Sequence, residues 1–137
     1  MRVILDTNIL LSAVIRRDGA PGQILEAWFD DRFILLTHQL QLEELRLVTR
    51  RENIRALIRA SEVGRIVNQM LAYAEIPSDL PHVRRSSDPA DDYLLALCDA
   101  GRAEYLVTED KAGLLDLKKH RATAILTARA FLDVIGG

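Results

Sequence analysis

Asp6, Glu44, Asp91 and Asp110 are the residues of this chain whose type and setting could support chemistry. Asp6 follows Val3-Ile4-Leu5, a short, partly β-branched apolar run that reads as a buried strand. The apolar pattern resumes at Ile9-Leu10-Leu11, so a strand stops and a helix starts at Asp6. Asp110 follows Tyr105-Leu106-Val107-Thr108 in the same way, and Asp91 and Asp92 stand in Asp88-Pro89-Ala90-Asp91-Asp92, where another helix begins. Glu43 and Glu44 lie inside a helix, next to residues that must face the core. In an open α/β sheet, ligands bind where strands end and helices begin. If the strand before Asp110 lies beside the strand before Asp6, both acids meet at the carboxyl edge of the sheet. The helices bearing Asp91 and Glu44 could then supply the remaining carboxylates. Converging carboxylates repel one another, and a hard divalent cation such as Mg²⁺ or Mn²⁺ relieves that repulsion through oxygen ligands. Such an ion can acidify and position a water and stabilise charge on a phosphodiester. No His or Cys nucleophile is then needed, and His38, His82 and His120 fall in no recognisable catalytic spacing.

Each acid also has a plainer use. Asp6, Asp88 or Asp91, and Asp110 could cap the helices that follow them, worth about 1 kcal/mol each, and Glu44 could sit on a solvated face. Capping does not explain why Thr7, Asn8 and Thr108 are polar at the same depth. Those three could hydrogen-bond the carboxylates or metal-bound waters, and Ser12, one turn beyond Asn8, could face the same cleft. Between Arg46 and Arg65 there are six arginines against two acids, Glu52 and Glu62. Arg51, Arg55 and Arg59 fall at i, i+4 and i+8 of a continuous helix, and Arg46 and Arg50 form a second such pair. They are a candidate track for RNA phosphates or an acidic protein segment; the alternative is an ordinary solvated face. Trp28 and Phe29 suit a core or a dimer contact, and Cys98 an inert core thiol.

The elements that must position these residues alternate along the chain. Strands are expected at Arg2–Leu5, Arg32–Leu36, Glu104–Thr108 and Ala122–Leu126. Helices are expected over Thr7–Arg17, from Pro21 through Phe29, and over His38–Arg51 with Leu40, Leu42, Leu45 and Val48 inward. Further helices are expected over Asn53–Ala60, Glu62–Ala74 with Leu71 among the inward residues, Ala90–Ala100, Lys111–Lys119, and Thr127–Ile135 up to Gly136-Gly137. Residues 76–89, rich in proline and serine, read as a surface loop. The pattern implies an α/β fold, a three-layer α/β/α sandwich around a mostly parallel sheet of four or five strands. All-β and bundle architectures are excluded by the alternation. At 137 residues, 49% apolar and 28% charged, the chain is expected to form one domain, residues 1–137. A net charge of −2 gives no global basic field, so a polyanionic partner must be drawn by local charge or metal. One cysteine precludes an intrachain disulfide and fits a reducing cytoplasm. A first strand immediately after Met1 leaves no signal peptide in view, and no apolar run approaches the ~20 residues of a membrane span.

Four stretches together carry a resemblance. Val3-Ile4-Leu5-Asp6-Thr7-Asn8-Ile9-Leu10 resembles the opening motif of PIN-domain nucleases, and Leu42-Glu43-Glu44-Leu45 their second acidic motif. Asp88 through Leu97 resembles the third and Tyr105 through Asp110 the fourth, in the family's order. Within that family the chain looks like the VapC-like toxins of bacterial toxin–antitoxin modules. The resemblance implies a Mg²⁺- or Mn²⁺-dependent cytoplasmic ribonuclease acting on an RNA substrate, a homodimer, and a small protein antitoxin that blocks the site. It places Asp6, Glu44, Asp91 and Asp110 as catalytic metal ligands. Asp92, adjacent to Asp91, leaves the third position open by one residue, as Glu43 does for Glu44, with Asp92 otherwise an outer partner. Two other readings stand beside it: a catalytically silent PIN-like binding module, and a phospho-accepting receiver-type domain, for which strand 1 would need an acid pair rather than one Asp.

Overall fold

Val3, Ile4 and Leu5 are each at most 1% exposed, and their alternation sets the layers of the molecule. In a strand, successive side chains point to opposite faces. Val3 and Leu5 join an apolar cluster with side chains of five helices, whereas Ile4 joins a second cluster on the other face. The computed structural model describes residues 1–136. Its strands are β1 (Arg2–Leu5), β2 (Ile34–Leu36), β3 (Tyr105–Val107), β4 (Lys119–His120) and β5 (Thr123–Leu126), in spatial order β2-β1-β3-β5-β4. All neighbours are parallel except β4 and β5. The helices are α1 (Thr7–Ile15), α2 (Ala20–Phe29), α3 (Gln39–Val48), α4 (Glu52–Arg55), α5 (Ala60–Tyr73), α6 (Asp92–Gly101), α7 (Leu114–Leu117) and α8 (Ala128–Val134).

The first face is covered by α1, α2, α3, α5 and α8, with Ile24, Leu42, Met70 and Phe131 among the buried side chains. The second is covered by α6 and α7, through Leu94, Leu95, Leu97, Cys98 and Leu114. This is the expected three-layer α/β/α sandwich with a mostly parallel sheet. Burial pushes the Cys98 thiol up to about 12, as an inert core thiol requires. Among the described residues no helix is long and apolar enough to cross a membrane.

Several local expectations are corrected. Leu40 and Leu71 are 46% and 48% exposed and do not face the core. In α3 the core-facing positions are Gln41, Leu42 and Leu45, so the glutamine takes an interior place assigned to a leucine. The helix over Asn53–Ala60 shrinks to the single turn of α4, because Arg51 before it and Arg59 after it are both extended. The helix over Lys111–Lys119 shrinks to α7. There Lys118 adopts a φ of 63° and the chain passes into β4, which pairs antiparallel with β5. The expected final stop at Gly136-Gly137 falls partly on Gly137, which lies outside the described residues.

Candidate active site

The register of β1 against β3 pairs Leu5 with Val107, so the residues just beyond, Asp6 and Thr108, emerge side by side at the carboxyl edge. The Asp6 N–H donates to Val107 O at 2.9 Å, and the Thr108 N–H to Leu126 O at 2.9 Å. Both backbones are therefore fixed by the sheet before either side chain acts. The Thr108 hydroxyl donates to Asp6 Oδ2 at 2.7 Å and accepts from the Asp110 N–H at 3.1 Å. One buried hydroxyl thus couples two of the acids. Asp6 stands at the N-cap position of α1, yet its carboxylate makes no capping bond.

Asp110 is held from the other side. Its Oδ1 accepts the Gly113 N–H at 3.2 Å. A Cβ on residue 113 would stand 2.1 Å from Asp110 Oδ2, so only glycine lets the carboxylate lie there. Glu44 comes from the middle of α3. Its Oε1 accepts from the Thr7 hydroxyl and, at 2.8 Å, from the Tyr93 hydroxyl at the start of α6. The helix itself is hooked to the sheet by Gln41, which is fully buried. Its Nε2 donates to Leu5 O at 2.6 Å, and its Oε1 accepts from the Thr37 hydroxyl at 2.6 Å. Asp91 closes a 3₁₀ turn, Pro89–Asp91, that leads into α6.

These four acids line one cleft of about 360 Å³ with Thr7, Asn8, Val48, Arg51, Asp88 and Glu109. The structure separates the adjacent pairs. Asp92 turns away, its Oδ1 accepting from the N–H groups of Arg85 and Ser86 at 3.2 and 2.7 Å, and so anchors the loop instead of the cleft. Glu43 stays on the surface, where Gln39 donates to it at 3.4 Å. Ser12 is exposed and does not line the cleft. The arginines divide: Arg51 reaches the cleft, Arg46, Arg50 and Arg55 line a separate groove, and Arg59 lines neither. With α3 ended at Val48 there is no continuous helix to align Arg51, Arg55 and Arg59. Tyr93 and Gln41 escaped the sequence reading. An i, i+3 offset from Gln41 to Glu44 on one helix was its available signal.

The cleft is electrostatically loaded. Among the described residues none of the four carboxylates takes part in an ion pair. Burial, reinforced by the charges of Asp6, Asp88, Asp110 and Glu44, pushes the Asp91 carboxyl up to about 7. Asp6 is raised as well, first by burial and then by Glu44 and Asp110, against the opposing pull of the Thr108 hydroxyl. Packed carboxylates that form no ion pair, with Arg51 the one cationic side chain among the described lining, are the donor chemistry that suits a hard divalent ion. The arrangement is loose, however: among the described residues no three acidic, His or Cys side chains already stand where they could hold one ion. The expectation that all four carboxylates lie within one ion's reach is thus not met as they stand.

A larger groove, about 780 Å³, lies elsewhere, between α2, the exposed side of β2 and α5. Its charged lining mixes Arg17 and Arg65 with Glu26, Asp31, Glu62 and Glu75, so size and chemistry point to different places, and the chemistry decides. A family model described as the PIN domain matches residues 2–112, which include all four acids. An uncharacterised protein of Methanocaldococcus jannaschii is 36% identical over 45 residues, 33% of this chain. That match spans 29% of the relative's length.

Proposed function

The chain belongs to the PIN domain family, whose members are of nuclease type, and on that premise we propose that it is a Mg²⁺- or Mn²⁺-dependent endoribonuclease. The observation that carries the reading is the gathering of Asp6, Glu44, Asp91 and Asp110, from four separate stretches of chain, into one cleft where, among the described residues, none of them forms an ion pair. A divalent cation, when bound, would supply positive charge for the phosphodiester and a more acidic water. The four carboxylates are the residues that would hold it, by closing from the separation they have here. The chain ties one oxygen of each of three of them: Oδ2 of Asp6 to Thr108, Oε1 of Glu44 to Thr7 and Tyr93, and Oδ1 of Asp110 to Gly113. The second oxygen of each makes no hydrogen bond with the other described side chains. Asn8 and Arg51 line the same cleft, where Arg51 could meet a phosphate oxygen.

Within this reading the protein is the toxin of a toxin–antitoxin module, with a homodimeric state and a protein antitoxin as partners. The family supports the catalytic half of that statement more directly than the regulatory half. The test is cleavage of defined RNAs with and without Mn²⁺, by wild type and Asp6→Asn. Because even outer partners of a metal site cost ~10–100-fold when removed, Asp6→Asn should lose at least ~100-fold in rate while remaining folded. Full cleavage in EDTA, or by Asp6→Asn, would remove the proposal.

One observation favours a second reading, a catalytically silent PIN-like binding module: the carboxylates do not already converge on one point. Calorimetric titration with Mn²⁺ separates the two, since a silent module takes up no metal at millimolar concentration. A receiver-type domain has no support once the family is known.

A further inference from the structure

Arg46, Arg50 and Arg55 line a groove of about 610 Å³ between α3, α4 and α5, and no acidic residue lines it. Its floor is the α5 stretch Val63, Gly64 and Val67. Gly64 is an independent observation. It sits inside the 14-residue helix α5, where glycine is less favourable than alanine. The fold supplies no reason for it: a Cβ there would meet nothing within 4 Å. The missing side chain instead deepens the groove and bares helix backbone between two valines. The groove and the acid cleft occupy two flanks of α3. Glu44, Val48 and Arg51 line the cleft, whereas Arg46, Thr49 and Arg50 line the groove. Consecutive residues Arg50 and Arg51 therefore pass from one to the other around the end of the helix, about a helix diameter, ~10 Å, apart.

We propose that this groove holds the sugar–phosphate backbone of the single-stranded RNA substrate a few nucleotides from the phosphate presented to the cleft. The inference rests on the ribonuclease reading and names where its substrate runs. Arginine forks suit phosphate oxygens. Thr49 and Asn68 offer hydrogen bonds to 2′-hydroxyls, and Gly64 lets a ribose or base lie against α5. The net charge of −2 makes such a local track necessary for a polyanion. Charge alone would also admit an acidic protein segment, but continuity with the cleft through Arg50 and Arg51 favours the substrate.

The test uses fluorescence anisotropy of the Asp6→Asn protein with a labelled, mixed-sequence single-stranded RNA of about 12 nucleotides, within the range that single-strand-binding surfaces span. Replacing Arg46, Arg50 and Arg55 together by Gln should weaken binding at least tenfold at low salt. It should also flatten the slope of log K against log salt by about 2, at ~0.7 per lost phosphate contact. Gly64→Ala should raise the melting temperature and keep binding, whereas Gly64→Gln and Gly64→Phe should impair it with the fold intact. Unchanged affinity and salt slope in the arginine variant overturns the proposal, as does normal RNA binding by both bulky Gly64 variants. A groove that takes an acidic peptide in preference to this RNA overturns it too. In the otherwise wild-type protein, Mn²⁺-dependent cleavage with KM unaltered by the arginine substitutions sinks the inference and leaves the ribonuclease standing. Arginine-dependent RNA binding without any cleavage does the reverse.

Discussion

Asp6 shows how far a residue type can be read and where geometry takes over. An aspartate between a strand and a helix is the ordinary N-cap pattern, and Asp6 does occupy that position. Its carboxylate nevertheless goes to the Thr108 hydroxyl, 102 residues away in sequence. The polarity of Thr108 was visible in the sequence; its double duty between Asp6 and the Asp110 backbone was not, because that depends on the β1–β3 register. Thr108→Val keeps the shape and deletes the hydroxyl, leaving Asp6 Oδ2 and the Asp110 N–H without this partner. Metal affinity, read by calorimetry, should fall ~10–100-fold, and an unchanged titration would show that the hydroxyl does not position Asp6. Asp91 gives a pH signature. Its pKa rises from 3.8 in the unfolded reference to about 7 in the metal-free fold, so between those values the native state holds more proton than the unfolded chain. Its contribution to stability therefore declines as pH rises through that window and levels off above about 7. Thermal melts in EDTA should show Asp91→Asn more stable than wild type at pH 8, with the difference fading toward pH 4. Equal melts at both ends would mean that Asp91 feels no such repulsion.

At the scale of elements, the sheet and its helices follow from alternation and apolar spacing, and β1, α1, α2, α5 and α6 stand within a few residues of the sequence expectation. The misses share a cause: tertiary pairing overrode a local preference without leaving a local mark. No glycine or proline signals the break around α4. The β4–β5 hairpin turns at Arg121 with φ 51°, where the usual sequence signal would be Gly or Asn. Leu40, expected inward, is exposed, and what aims α3 at the cleft is Gln41, one turn before Glu44. Gln41→Leu fills a similar volume while leaving Leu5 O and the Thr37 hydroxyl without this partner, at a cost of about 1–3 kcal/mol. It should also weaken Mn²⁺ binding, because α3 loses its hook to β1. Denaturant melts and a metal titration check both effects. Loss of stability with metal affinity unchanged would make Gln41 a core polar group with no role in placing Glu44.

For the molecule as a whole, charge is distributed against stability and in favour of binding. Six acids line one cleft, with Arg51 beside them, and Arg46, Arg50 and Arg55 line the opposite flank of α3, although the net charge is only −2. An acidic cluster raised by burial and mutual repulsion costs the metal-free fold free energy that a cation would return. Anything that binds only the native state stabilises it by RT ln(1 + [L]/Kd), about 2.7 kcal/mol at a hundredfold excess over Kd. In a domain of this size, that raises the midpoint on the order of 10 °C. Mn²⁺ should therefore raise the melting temperature of the wild type by that order, and the gain should grow from pH 6 to pH 8 as the proton on Asp91 ceases to compete. Asp6→Asn should lose most of the gain, while the arginine variant, whose substitutions lie on the other flank of α3, should keep it. A Mn²⁺ shift equal in wild type and Asp6→Asn would place the metal outside the cleft, and no shift in either would leave the gathered carboxylates to a role without metal.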